Sequence, residues 1–318
     1  MIRFTLFNRF DYKYDFLSRR HTLAVISIIL WIVSIIALAT QGLTLGLDFT
    51  GGTLIELRYK QPVELQEIRT ALHQNGFSDA VVQHFGSTHD VLIRLGQHET
   101  TKDNPLSTQI LKILQPGGKE IEMRRIEFVG PQVGKELVEG GLLALLYTNI
   151  GILIYVAIRF EWRLALGAVL ALLHDPVLIL GIFALFHLEF DLTVLAAILA
   201  VIGYSINDTI VIFDRIRENF IKLRKLPTIE VINISINQTL SRTVMTSTTT
   251  FFVVVLLFFF GGQLIHNFAL VLIIGIVVGT YSSIYVASAL ALFLGVSRND
   301  LLPVQKEGAE VVKKNITL

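Results

Sequence analysis

Cysteine is absent from all 318 residues. That excludes disulfide frameworks, thiolate metal sites and cysteine nucleophiles. It leaves the compartment open, because a membrane protein without disulfides can reside anywhere. Charge is also sparse. Asp, Glu, Lys and Arg make up 17% of the chain, and 27 basic residues face 26 acidic ones. So even a balance provides no basic face for nucleic acid. What fills the space is apolar: 53% of residues are hydrophobic and the mean hydropathy is +0.62. A soluble domain of this size rarely exceeds half apolar, which points to an integral membrane protein.

A bilayer-crossing helix needs about 20 mostly apolar residues. Six stretches qualify: 22–41, 139–158, 164–186, 192–213, 240–260 and 268–296. The last is long enough to tilt or to run past the membrane. Basic residues in short connections set direction. The 1–21 segment carries Arg3, Arg9, Lys13, Arg19 and Arg20. The 214–239 loop carries Arg215, Arg217, Lys222, Arg224 and Lys225, and the 159–163 turn carries Arg159 and Arg163. The opposite connections, "HLEFD" (187–191) and "GGQLIHN" (261–267), have no Lys or Arg. Both termini are expected in the cytoplasm, with a tail at 297–318. "ALAT" (37–40) has a small-x-small spacing, but the apolar run before it is longer than the roughly 7–15 residues of a signal peptide. An uncleaved first helix is expected.

Residues 42–138 form a hydrophilic excursion on the non-cytoplasmic side. "GTLIELRYK" (52–60) alternates as a strand, and "VELQEIRTALHQNG" (63–76) reads as an amphipathic helix ended by Gly76. "AVVQHF" (80–85) and "DVLIRL" (90–95) are strands joined by "GSTH". "NPLSTQILKILQ" (104–115) is helical, with Pro105 in its first turn, and "KEIEMRRIEFV" (119–129) is a final strand. The order β-α-β-β-α-β is that of the ferredoxin-like fold. His73, His84, His89 and His98 are scattered without metal-ligand spacing, so no metal and no other cofactor is expected.

Ionisable residues at mid-bilayer cost about 2.5–3.5 kcal/mol and usually face protein or water. Three places stand out: "HDP" (174–176), "ND" (207–208) and "SRTVMTSTTT" (241–250). By helix rise, Asp208 lies about 9 Å inside the cytoplasmic end and Asp175 about 18 Å, near the midplane. Pro176 can open the local backbone there. Thr239, Arg242, Thr246 and Thr249 share one helical face, as do Tyr204, Ser205 and Asp208. Asp208 and Arg242, on consecutive antiparallel helices, can pair and relieve both desolvation costs. Two roles are open for them: a static pair that fixes helix register, or a proton relay. His174–Asp175 is either a relay element or an orienting one. Asn207 and Asn149 read as interhelical hydrogen bonders rather than reactive groups. An aspartyl protease dyad needs carboxylates about 3 Å apart. The depths above separate Asp175 and Asp208 by roughly 9 Å, and the fit is poor. Gly275, Gly279, Ser283, Ala287 and Ala291 recur every four residues, a small-xxx-small stripe for close helix packing inside the chain or against a partner.

The motifs "GLDFTGG" (46–52), "FVGPQVGKEL" (128–137), "HDP", "GYSINDTIVIFDRIRE" (203–218), "NQTLSRTVMTS" (237–247) and "GTYSSIYVA" (279–287) together resemble the SecD/SecF family of bacterial protein-translocase subunits, in the resistance-nodulation-division superfamily. The resemblance runs to about residue 297; the 86–104 region and the tail match no motif. It implies an α-helical polytopic inner-membrane protein with six transmembrane helices and a ferredoxin-like periplasmic domain between helices one and two. It also implies no enzymatic activity of its own. The chain would instead be a subunit coupling the proton-motive force to late translocation of unfolded preproteins, with the companion SecD, the SecYEG channel and YajC as partners. It further implies a role in proton passage for the aspartate of "NDT" and the arginine of "SRT", Asp208 and Arg242 here. Gly51, Gly52, Gly130 and Gly134, in the motifs flanking the excursion, suit either hinges or plain turns. The alternatives are half of a proton-driven exporter of small molecules or lipids, and a non-transporting scaffold.

Overall fold

The computed structural model describes residues 14–96, 106–115 and 120–297. Arg3, Arg9, Lys13, His98, Pro105, the first residues of the expected 104–115 helix and 119–129 strand, and the tail from residue 298 lie outside them. In chain order the elements are α1 (Arg20–Gln41), β1 (Thr44–Leu45), α2 (Leu47–Thr50), β2 (Gly52–Tyr59), α3 (Leu65–Gln74), β3 (Val81–Phe85), β4 (Ser87–Leu95), α4 (Leu106–Leu114) and β5 (Ile121–Val129). There follow α5 (Pro131–Arg159), α6 (Trp162–Leu185), β6 (Glu189–Phe190), α7 (Leu192–Lys222), α8 (Thr228–Phe260), α9 (His266–Tyr281) and α10 (Ser288–Phe293). A 3-10 turn at Gln263–Ile265 precedes α9, and a π-helical segment, Ser282–Ala287, joins α9 to α10. Six stretches are long and apolar enough to cross a membrane: α1, α5, α6, α7, α8 and the composite α9–α10 rod. The molecule is thus a multi-pass membrane protein.

Strands β2 to β5 form one antiparallel sheet in the order β3-β4-β2-β5. Helices α3 and α4 cover one face through Ile68, Leu72, Leu106, Ile110 and Leu114, which close on Ile55, Leu57, Val91, Ile93 and Leu95. The hairpin is tighter than "GSTH" foretold. Gly86, at φ 79°, turns alone, and β4 starts at Ser87. The membrane core is a second cluster, built by α6, α7 and the last rod around Ala168, Phe183, Ile198, Val201, Ala287 and Ala291. Asp191 caps α7 by accepting from the Val194 amide at 2.8 Å, filling one of the helix's orphan N-terminal donors.

The expected 214–239 loop is mostly helix, which corrects the sequence reading. α7 runs on to Lys222, α8 begins at Thr228, and only residues 223–227 connect them. Charge pairs one helical turn apart, Arg215–Glu218 and Glu218–Lys222, support the extension beyond the apolar run. Buried Asn219 donates to Ser235 Oγ at 2.8 Å and to Gln238 Oε1 at 2.9 Å, stapling the two extensions together.

Candidate functional site

The densest polar cluster at membrane depth surrounds Asp175, which is fully buried on α6. Its Oδ1 lies 3.0 Å from His174 Nδ1. Its Oδ2 accepts from Ser205 on α7 at 2.5 Å and from Ser282, at the start of the π segment, at 2.8 Å. Three spans therefore meet at one carboxylate. Pro176 cannot donate to the Leu172 carbonyl one turn back, so the backbone beside the cluster is locally unlatched. Sequence spacing does not mark Ser282 as a site residue. The inserted π turn that aims it inward leaves no periodic signal, although "YSSIY" does place a hydroxyl pair in an apolar run. Single-turn π insertions of this kind recur at functional sites.

Asp208 stands apart. It is 3% exposed, and its Oδ2 has no hydrogen-bond partner among the described residues. Arg242 is near enough to act on it through its field, yet no ion pair within 4 Å forms. Arg242 instead faces outward from α8. The direct contact expected from helix spacing is therefore absent among the described residues. The two residues expected beside Asp208 also point elsewhere: Ser205 serves Asp175, and Tyr204 donates to Ser247 Oγ at 3.3 Å, which in turn sits 2.8 Å from Thr280 Oγ1. Asn207 is exposed and makes no interhelical bond among the described residues, which corrects that expectation. Thr239, Thr246 and Thr249 each donate to carbonyls three or four residues back on α8. Their polarity is satisfied within the helix. Asn149 does the same with the Leu145 carbonyl within its own helix, which corrects its interhelical reading.

The small-residue stripe packs inside the chain and changes neighbour along its length. A Cβ on Gly275 would sit 2.1 Å from Val201 Cγ2, and one on Gly279 would sit 3.1 Å from Ser205 Cβ, both on α7. Beyond the π segment, Ala287 and Ala291 face Gly167 of α6, whose own Cβ would lie 3.1 Å from the Ala287 carbonyl oxygen. Ser283 is fully buried and donates to the Thr280 carbonyl.

At the far end of α7, the segment around β1 and α2 is tied to the α6–α7 connection. β1 pairs in parallel with β6, Phe49 stacks on Phe190, and Asp48 Oδ2 accepts from the Leu192 amide at 3.0 Å. From the sheet, Arg94 donates to the Leu45 carbonyl at 3.0 Å and pairs with Glu189. Burial pushes the Glu189 carboxyl above its ordinary range, against the pull of Arg94. The helix carrying Asp208 is thus fastened at its start to the α/β domain. Gly51 and Gly52 lie in this fastening, at φ 69° and 122°. A Cβ on Gly52 would meet the Leu95 carbonyl oxygen at 2.3 Å, so no other residue fits. Gly134 lets α5 approach the Phe49 carbonyl, while Gly130 is an extended N-cap that does not require glycine. On the sheet, Asp90 accepts two bonds from Arg58 at 2.6 and 2.7 Å, which with Ser87 holds its carboxyl down at about 2. His73, His84 and His89 join no group of three or more potential metal ligands among the described residues.

Comparison with known proteins fits this arrangement. The family model for the C-terminal region of protein export membrane protein SecD/SecF matches residues 109–297, and the SecD/SecF GG motif matches residues 36–63. The chain is 56% identical over 289 residues to protein translocase subunit SecF of Vibrio alginolyticus, covering 90% of this chain and 92% of that protein. It is 47% identical to SecF of Escherichia coli O157:H7, with 93% of each chain covered. The crystal structure of SecDF from Thermus thermophilus, a translocon-associated membrane protein, superposes with a TM-score of 0.81 at 38% identity over 90% of this chain. SecDF in a super-membrane-facing form superposes with a TM-score of 0.68 at 36% identity. The chain spans 39% and 40% of those two longer chains. With its GG-motif fastening, its helical core and near full-length likeness to SecF subunits, the chain belongs to the SecD/SecF family of protein export membrane proteins.

Proposed function

We propose that this chain is the SecF subunit of a proton-driven accessory complex of the Sec translocase. It lies in the bacterial inner membrane with both termini in the cytoplasm. The β2-α3-β3-β4-α4-β5 domain, whose strand order matches the ferredoxin-like class, stands in the periplasm. SecD supplies the other half of the membrane assembly, and SecYEG and YajC are the further partners. The substrate is an unfolded preprotein leaving the channel.

One observation carries the proposal: a carboxylate at position 208, buried in the α7 helix, with no hydrogen-bond partner for Oδ2 among the described residues and with Arg242 in reach of its field but out of contact. A static structural pair would keep the two groups together. An unpartnered buried carboxylate can take up a proton and give it back with little rearrangement of its own bonds. Protonation from the periplasmic side removes the attraction to Arg242, α7 and α8 re-pack, and release to the cytoplasm resets them. The ties at Asp48 and Glu189 pass the motion of α7 to the periplasmic domain. His174 and Asp175 act as a second polar station, holding three spans in register at mid-depth. One proton crossing 100 mV supplies about 2.3 kcal/mol, and one unit of pH gradient about 1.4 kcal/mol more. Together these shift a two-state equilibrium by more than about a hundredfold.

The test is secretion by inverted or intact membrane vesicles under an imposed proton gradient. Asp208→Asn should abolish gradient-driven completion of translocation and leave ATP-driven initiation intact. Unchanged completion in that variant would end the relay reading.

A further inference from the structure

A cavity of about 970 Å³ opens on the outer face of the helical core, between α1, α6 and the α9–α10 rod. Its walls are apolar: Ile28 and Trp31 from α1, Leu170 and Leu173 from α6, Leu290 and Phe293 from α10. Arg20 and His21 stand at one end, and no carboxylate lines it among the described residues. From Arg20 to Trp31 the wall is eleven residues long, about 16 Å at helical rise. One leaflet's hydrocarbon is about 15 Å thick, half the bilayer core. The shape and the placement of charge thus match one lipid tail with a negative group at its head.

Two further features mark this as more than open surface. His174 lines the cavity and is 7% exposed, its Nδ1 engaged by Asp175 and its Nε2 without a hydrogen-bond partner among the described residues. Tyr281, Tyr285 and Val286 also line it, and the last two belong to the π segment. The Tyr281 hydroxyl bonds Ser27 at 2.8 Å and the Leu23 carbonyl at 3.0 Å, closing α1 onto the rod. Arg20 Nη1 spends one donor on the Leu17 carbonyl at 3.1 Å. A guanidinium has five N–H donors, so the other four, unpartnered among the described residues, can serve an anionic oxygen.

We infer that this cavity is a binding site for one anionic phospholipid, its phosphate on Arg20 and His21 and one acyl chain along Trp31, Leu170 and Leu173. The lipid would then rest against His174 and the π segment, the wall of the Asp175 cluster. This site does not depend on the proton-relay reading, and its test reads no secretion.

Trp31 and Trp162 are the tryptophans of this chain, so Trp162→Phe leaves Trp31 as the sole fluorescent reporter inside the cavity. The full-length chain is reconstituted in bilayers of phosphatidylethanolamine containing either brominated phosphatidylglycerol or brominated phosphatidylethanolamine, and quenching of Trp31 is compared. One cation beside the headgroup is worth about fivefold in preference. Phosphatidylglycerol should therefore quench about fivefold more effectively at equal mole fraction, and Arg20→Gln should bring the ratio to about one. Ala289→Phe, which narrows the cavity from α10, should remove the preference even with Arg20 present. Charge attraction to the protein at large would survive that change. Equal quenching by both lipids in the parent chain would overturn the site. So would a preference that persists in Arg20→Gln or in Ala289→Phe, or a Trp31 that neither lipid reaches.

Discussion

At the residue scale, two buried aspartates in one membrane core live in opposite circumstances. Asp175 accepts from two serines and sits beside His174, whereas the Asp208 Oδ2 has no hydrogen-bond partner among the described residues. Removing a satisfied acceptor strands its donors, so Asp175→Ala should destabilise the protein by about 1–3 kcal/mol. Thermal unfolding of the purified protein would show this as a lowered midpoint. Asp208→Asn should leave that midpoint nearly unchanged, since it breaks no bond to Oδ2. On the sheet, Arg58 and Ser87 hold the Asp90 carboxyl near 2. Its folded value lies below its unfolded one, so the stability it contributes is complete above the ordinary carboxylate range. That contribution is lost as pH falls toward about 2. Hydrogen exchange of β2 and β4 against pH should show this acid limb, and Asp90→Asn should flatten it. Asp175 and Asp208 were both legible in the sequence as costly residues at lipid depth. Their partners were not, because helix spacing gives a shared face and says nothing of how two helices are rotated against each other. Ser205 was placed with Asp208 by its spacing and belongs to Asp175 in space.

At the element scale, the last rod turns its small residues first to α7 and then to α6, with the π segment between. A methyl group at Gly275 has no room beside Val201. Gly275→Ala should cost about 1–3 kcal/mol by overpacking, and Val201→Ala should recover most of it in the double variant. The tie at the start of α7 is a separate joint. Asp48→Ala frees the Leu192 amide and removes a negative charge from a helix N-terminus, worth about 1 kcal/mol. Faster amide exchange at the first turn of α7 and at β6 would register that loss. Each of the six apolar runs lies largely inside one long helix, although α5 starts eight residues before its run, and the alternating stretches overlap β2 to β5. Two classes of element escaped. The two-residue strands β1 and β6 carry too few residues for a pattern, and the helical extensions at 214–222 and 228–239 are polar, held by charge pairs and by Asn219.

At the scale of the whole molecule, the exposed positions of Arg242 and Asn207 and the bare outer face of α5 leave both polar and apolar surface uncovered. Such a surface suits a companion SecD subunit, in keeping with the longer SecDF chains that superpose on this one. Because the chain has no cysteine, a single Asn207→Cys is a unique handle. It should cross-link to SecD in membranes, and its failure to do so would place the interface elsewhere. Under the proposed coupling, the Asp208 carboxyl gains and loses a proton as the gradient across the membrane changes. Infrared difference spectroscopy on the reconstituted assembly, with pH stepped on the periplasmic side, reads that group directly. A carboxyl band that appears and disappears with the step, and is missing from Asp208→Asn, is the expected result. A spectrum in which that band is constant at every pH would contradict the proposed coupling.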